Sequence, residues 1–327
     1  VQRNFRYKTL FWLTGWIAFF LSAVANNLTT ALLVAAVVMA FGSDNPKFVR
    51  RCFVNIVIAV NAGGAFSPFG DITTLMVWQA GKVEFSQFFD LFLPSIFNFI
   101  IPGLVIHFFL PEGRLPPYCS TEKVILKPGA KRISLLFLVT ISIAVVCEQY
   151  LYIPPFMGMM IGLSLLMALG YYLKMKHEVE GKFDIFNNVR DSEWDTLLFF
   201  FGVVFAVGGL EYIGYLNLAS AELYGKLGAT GANVTIGVLS AIVDNIPVMF
   251  SVLTMNPSMD LYQWQLVTLT AGVGGSLLSV GSAAGVALMG QSNGGYTFMT
   301  HLRWLPAILL GYGASIFVHY LVNATKV

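Results

Sequence analysis

Two aspartates stand where an apolar chain has little reason to keep a charge. Asp71 closes the segment Asn61-Ala62-Gly63-Gly64-Ala65-Phe66-Ser67-Pro68-Phe69-Gly70-Asp71, and Asp244 opens Asp244-Asn245-Ile246-Pro247, each inside a long apolar run. Ionisable groups in such runs are costly, and so are functional candidates by default. A carboxylate that takes H⁺ or a small hard cation such as Na⁺, but not both, is enough to couple opposite fluxes of the two. A third interruption, Asn26-Asn27-Leu28-Thr29-Thr30, resembles the Asp244 motif in kind. Asn and Asp hold unwound backbone by local hydrogen bonds, and Pro247 cannot donate to a helix ladder. Freed carbonyls beside carboxamide, hydroxyl and carboxylate oxygens suit Na⁺. The competing explanation is a kink in which Asn and Thr bond neighbouring helices. Glu211, which follows Gly208-Gly209, and Glu148, near the polar end of its run, are secondary candidates. His107 and His319 lie near run ends and read as interfacial.

The composition says what kind of scaffold positions these groups. Of 327 residues, 57% are hydrophobic and 11% charged, with 19 basic and 17 acidic residues giving a net charge of +2. Soluble domains carry about 25% charge, so the expected class is a multi-pass, polytopic membrane protein. The near-neutral balance argues against a nucleic-acid partner. Cys52, Cys119 and Cys147 are widely spaced, which excludes a disulfide framework and a cysteine-based transition-metal centre. No catalytic set such as HExxH is present, so no enzyme and no cofactor are expected. The partners are the bilayer, monovalent cations and protons, with room for a homo-oligomer.

Runs of roughly 20 apolar residues mark candidate spans. They fall at 9–42 (interrupted at 25–30), 52–80 (interrupted at 61–71), 87–110, 133–151, 154–174, 194–216, 230–255 (broken at Asp244–Pro247), 263–290 and 297–323. Polar connections lie at 111–132 and 175–193, the second being the most charged stretch. Strand alternation is absent, so the expected fold is all-α. With Gly202, Gly208, Gly209 and Gly214, segment 194–216 reads as a re-entrant hairpin, and 9–42 and 230–255 read as broken helices.

The chain also resembles itself. Ser22-Ala23-Val24-Ala25-Asn26-Asn27-Leu28 matches Ser240-Ala241-Ile242-Val243-Asp244-Asn245-Ile246. Gly63-Gly64 matches Gly274-Gly275, Gly70-Asp71 matches Gly281-Ser282, and Pro94 and His107 match Pro306 and His319. Matches in one order at nearly constant offset imply an internal repeat. If the segment at 194–216 does not cross, the repeats are inverted, the architecture of many secondary transporters. The expected division is 1–110 as the C-terminal part of the first repeat, 111–132 as a connection and 133–327 as the second repeat. Elements within 133–227 have no counterpart before Val1, so the first repeat is expected to be N-terminally incomplete.

Asn26-Asn27-Leu28-Thr29-Thr30-Ala31-Leu32, Asp44-Asn45-Pro46-Lys47-Phe48, Asn61 through Trp78, Glu193-Trp194-Asp195-Thr196-Leu197-Leu198-Phe199-Phe200 and Gly274 through Gly285 resemble the NhaD-type Na⁺/H⁺ antiporters of the ion transporter superfamily. Relatives in that superfamily carry dicarboxylates, citrate or arsenite. The resemblance implies ion sites at hairpin tips and helix breaks. It implies Asn27, Thr29, Thr30, Gly70, Asp71 and Thr73 as ligands in one half, and Asp244, Asn245, Gly281 and Ser282 in the other. Thr196 and Gly202 are weaker implications. Such sequences usually read Asp-Asn where this chain reads Asn26-Asn27, so Asn26 marks a place where a coupling carboxylate is replaced. The expected function is antiport of Na⁺, and Li⁺, against H⁺ by alternating access. The alternative is a Na⁺- or H⁺-coupled carrier of a small anion such as a dicarboxylate, citrate or arsenite, which central carboxylates would repel.

Overall fold

The computed structural model describes residues 6–42, 44–114, 129–176, 190, 194–292 and 294–324. Helix dominates, and the described residues contain no strand beyond an isolated bridge between Arg6 and Arg114. Five helical segments are long and apolar enough to cross a membrane: Pro46–Ala65, Phe85–His107, Ala130–Leu151, Pro155–Leu173 and Leu305–Asn323. A bent pair, Leu197–Tyr212 with Tyr215–Leu239, adds a sixth candidate. The chain is a multi-pass, all-α integral membrane protein.

It divides into two compact units. One comprises 119–202 and holds α6 (Ala130–Leu151) and α7 (Pro155–Lys176), which pack on each other through small residues. A Cβ on Gly158 would lie 2.5 Å from Ala144 Cα, so only glycine permits that approach. The other unit, 1–118 with 203–327, contains all the segments matched within the sequence, from Ser22 to His107 and from Ser240 to His319.

The first member comprises α1 (Tyr7–Ser22), α2 (Asn27–Gly42), α3 (Pro46–Ala65), α4 (Ile72–Gln79), a 3₁₀ turn (Phe85–Leu91) and α5 (Phe92–His107). Contacts along α3 fix the directions. Tyr7 meets Phe48, Phe11 meets Asn55 and Phe19 meets Gly63, so α1 runs parallel to α3. Gly42 meets Phe48 and Val49 whereas Asn27 meets Gly64, so α2 runs antiparallel to α3. Hence α1 and α2 form a hairpin with its tip at Ala23–Asn26. The interruption that true broken spans require falls instead at Phe66–Asp71, between α3 and α4.

The second member repeats this. After α8 (Trp194–Tyr212) come α9 (Tyr215–Leu239), α10 (Asn245–Met255), α11 (Leu261–Gly274), α12 (Ala283–Gln291), α13 (Phe298–Leu302) and α14 (Leu305–Asn323). Gly228, at φ 67°, divides α9. Its second part runs parallel to α11, since Thr230 meets Gln263 and Gly237 meets Gly274. Lys82 reaches both Asn256 and the Trp264 ring, so the C-terminal end of α10 lies by the start of α11. The end of α9 and α10 are therefore the second hairpin, with its tip at Ser240–Asp244, and the second helix break is Gly275–Ser282.

Two expectations are thus corrected. Segments 9–42 and 230–255 are re-entrant hairpins rather than single broken helices, because each leg packs along the same central helix in opposite senses. Segment 194–216 contains an unbroken helix, α8, which meets α9 at 81° across Gly214 (φ 85°). Gly202, Gly208 and Gly209 do not break it, and nothing lies within 4 Å of the position a Cβ would take there. A helix tolerates such glycines at a modest propensity cost.

Every residue from Cys52 to Ala65 on α3, and from Trp264 to Gly274 on α11, is buried. The two helices run in opposite directions. Asn61 and Phe53 of α3 meet Ser282 and Tyr296 respectively, so the chain leaving α11 descends α3. Likewise α4 begins beside Asn245 and ends with Lys82 beside Asn256 and Trp264. The repeats are therefore inverted. Equivalent bonds dock equivalent hairpins: Ser22 Oγ donates to Val60 O (2.8 Å) and Ser240 Oγ to Ala271 O (2.7 Å). A Cβ on Gly63 would collide with the Phe19 carbonyl, and one on Gly274 with the Gly237 carbonyl. We expect Gly274→Ala to lower stability by about 1–3 kcal/mol, the usual cost of overpacking. Gly208→Ala, facing open space, should leave it unchanged or raised. Melting temperatures of the purified protein in detergent check both.

Candidate cation site

The hairpin tips and helix breaks converge because the repeats interlock. The side chain of Asp71 sits at the N-cap of α4, where it accepts from Thr73 N, and Thr74 returns a bond to the Asp71 backbone. This capping box fixes the carboxylate at the end of the first break. Its Oδ2 accepts from Asn27 Nδ2 (2.8 Å), on the first hairpin, and from Asn245 Nδ2 (2.8 Å), on the second. One carboxylate oxygen thus joins both repeats. Ser22 Oγ in turn contacts Asn27 Oδ1.

The reciprocal bond runs the other way. Ser282 caps α12 by accepting from Gly285 N, and its hydroxyl also accepts from Asn61 Nδ2 (3.1 Å), on α3 of the first repeat. Asp244, the residue before Asn245, is the N-cap position of α10, but its side chain caps nothing. Its neighbour Asn245 is the residue whose amide reaches Asp71.

Three buried oxygens here have no hydrogen-bond partner: Asn61 Oδ1, Thr73 Oγ1 and Asp244 Oδ1. Orphaned buried polar atoms cost about 1–3 kcal/mol each, and each is an acceptor. Oxygen acceptors of this kind suit a hard cation.

The residues named from sequence divide as follows. Asn27, Asp71 and Asn245 are joined directly by these bonds, with Thr73 and Asp244 adjoining in sequence, and Ser282 is bonded separately to Asn61. Gly70 and Gly281 are buried where backbone passes backbone, a Cβ on Gly70 lying 2.8 Å from the Ser22 carbonyl and one on Gly281 lying 2.6 Å from the Ala241 carbonyl. Thr30 is buried and donates to Ala25 O, bracing the tip. Asn26 is exposed and accepts from Leu28 N, capping α2, and Thr29 is exposed too. Glu211 is exposed on α8. Glu148 and Gly202 belong to the second unit. Thr196 lies on α8 with its side chain outside the described residues.

Asn61 and Ser22 were not among the sequence candidates. The signal for Asn61 was a carboxamide within an apolar helix, and for Ser22 its recurrence as Ser240. A double-mutant cycle on Asn61→Ala and Ser282→Ala should give a coupling energy on the order of 1 kcal/mol in thermal unfolding. Strict additivity would show that the inter-repeat bond contributes nothing.

The citrate transporter family profile matches residues 2–274. The Na⁺/H⁺ antiporter NhaD of Vibrio cholerae is 55% identical over 99% of this chain and 72% of its own length. NhaD of Halomonas elongata is 51% identical over 99% of this chain and 70% of its own length. Sodium/proton antiporter 1 of Arabidopsis thaliana is 31% identical over 97% of this chain and 56% of its own length. By the profile and by these identities, the chain belongs to the citrate transporter family and to the NhaD antiporters.

Proposed function

We propose that the chain exchanges Na⁺, and Li⁺, for H⁺ across the membrane, using the Asp71 cluster as the shared site. The observation that carries this reading is one carboxylate oxygen held by amides from both hairpins, Asn27 and Asn245. Asp71 has two states that satisfy the same place: protonated, or paired with a cation whose remaining ligands are the neighbouring oxygens. Because one state displaces the other, uptake of Na⁺ releases H⁺. Asn61, Thr73, Asp244 and Ser282 supply the remaining oxygens, and Asn27 and Asn245 position the carboxylate.

Exchange also requires that the site face each side in turn. The two repeats, with the first reaching to 110 and the second beginning at 133, provide this by inverted symmetry. Each hairpin ends at the site rather than crossing the bilayer, and so can cover it from its own side. The NhaD relatives are named as Na⁺/H⁺ antiporters, in agreement with this chemistry. Carriage of citrate is not favoured, because Asp71 and Asp244 would repel a multivalent anion at the centre.

In everted vesicles with an acidic interior, Na⁺ or Li⁺ should dequench a trapped weak-base dye, and K⁺ or citrate should not. Asp71→Asn should abolish the response. Uptake of labelled citrate without cation-driven proton release would overturn the reading. Asn26→Asp, which restores a carboxylate at the first hairpin tip, should raise the exchange rate at a given Na⁺ concentration; an unchanged or lower rate would show that position 26 is not a coupling position.

A further inference from the structure

The two helix breaks are held in place by different means. In the first, Thr74 Oγ1 lies 2.8 Å from both the Ser67 and Asp71 carbonyls, so the break is tied by a residue of the helix that follows it. The counterpart of Thr74, three residues past Ser282, is Gly285. No side chain fits there, because a Cβ would collide with the Ser279 carbonyl. The second break therefore lacks the internal tie.

A tie arrives from outside instead. His301, on α13, is 0% exposed, and its Nε2 lies 2.8 Å from the Ser276 carbonyl at the start of the second break. A carbonyl only accepts, so Nε2 carries the proton. Nδ1 lies 2.6 Å from the hydroxyl of Tyr296, which is 1% exposed. With Nε2 protonated, Nδ1 of the neutral ring accepts and the phenol donates, which selects the tautomer that reaches Ser276. Tyr296 is braced in turn, edge-on against Phe53 of α3 and through its backbone N–H to Ser292 Oγ (2.9 Å). At the position of His301 the first repeat has Phe89, which is exposed. The chain from Tyr296 to His301 thus forms a one-sided latch on the second break.

We propose that His301 is a positioning residue for the cation site, acting through the Ser276 carbonyl, with Tyr296 setting its tautomer. The latch removes one backbone oxygen from the pool available to a cation. It also fixes the path from Gly275 to Ser282, and with it the Ser282 hydroxyl bonded to Asn61. Releasing it would loosen the second half-site without touching Asp71. This inference rests on the cation reading above and adds a residue outside the proposed ligand set.

The test uses the conservative pair His301→Gln and His301→Asn, with Tyr296→Phe alongside. A glutamine amide can stand in for Nε2 and still donate to Ser276 O, whereas an asparagine amide stands in for Nδ1 and falls short. Half-saturating Na⁺ is read in vesicles and, independently of transport, as the midpoint of Na⁺-dependent thermal stabilisation of the purified protein. His301→Asn should raise the midpoint about tenfold, the equivalent of one lost hydrogen bond. His301→Gln should stay near wild type, and Tyr296→Phe should fall between them. A purely structural role would lower the sodium-free melting temperature of both histidine variants and leave their midpoints equal, which would overturn the proposal. Tyr296→Phe removes one oxygen from a retained ring and so provides a readout if the histidine variants fail to fold; an unchanged midpoint in it would likewise overturn the proposal. Failure of the wild type to respond to Na⁺ in either assay would instead overturn the cation reading itself.

Discussion

Backbone that leaves a helix inside an apolar bundle has no water to bond with. Two helices here do so at Phe66–Asp71 and Gly275–Ser282, and much of the surrounding structure answers that one constraint. Asp71 and Ser282 cap the helices that resume. Gly70 and Gly281 let the freed strand of chain pass against the hairpins, and Ser22 and Ser240 pin those hairpins to carbonyls of α3 and α11. The polar groups that satisfy the broken backbone include those proposed to hold the ion. Site and scaffold solve the same problem with one set of residues.

The repeats share a fold but not a charge distribution. In the first, the carboxylate is on the helix break, at Asp71, and the hairpin tip carries Asn26. In the second, it is on the hairpin tip, at Asp244, and the break carries Ser282. Interlocking brings these unlike parts together, so Asp71 is held by an amide from each hairpin while Ser282 is bonded across the repeats to Asn61. Inverted symmetry supplies two equivalent frames, and divergence within them leaves one principal anion. The same divergence extends to the means of support, Thr74 on one side and His301 on the other.

Much of this was legible in the residues. The apolar runs marked the membrane-embedded segments, and the matched Asn-Asn and Asp-Asn motifs marked the repeat. The Gly-Asp and Gly-Ser pairs marked the ends of the two helix breaks. What could not be read was direction. An Asn-rich interruption in an apolar run looks the same whether the chain continues or turns back, because both need unwound backbone stabilised by short polar side chains. Only the pairing of Gly42 with Phe48, against that of Asn27 with Gly64, separates a hairpin from a broken span. In α8 the glycines misled for a related reason: glycine permits a break without requiring one. His301 was invisible because its partner is a backbone carbonyl 25 residues away, and a carbonyl leaves no trace in composition.

The shortness of the second hairpin has an electrical consequence. Its α10 has 11 residues, about 16 Å of helix, against a hydrocarbon core of about 30 Å. A hairpin leg of that length reaching inward from one membrane face would set the proposed Asp71 site near mid-depth. A cation reaching that depth from either water phase crosses about half of the transmembrane voltage, worth roughly 1.2 kcal/mol per 100 mV. Occupancy of the site is then itself a function of membrane potential, whatever the number of ions exchanged in a full cycle.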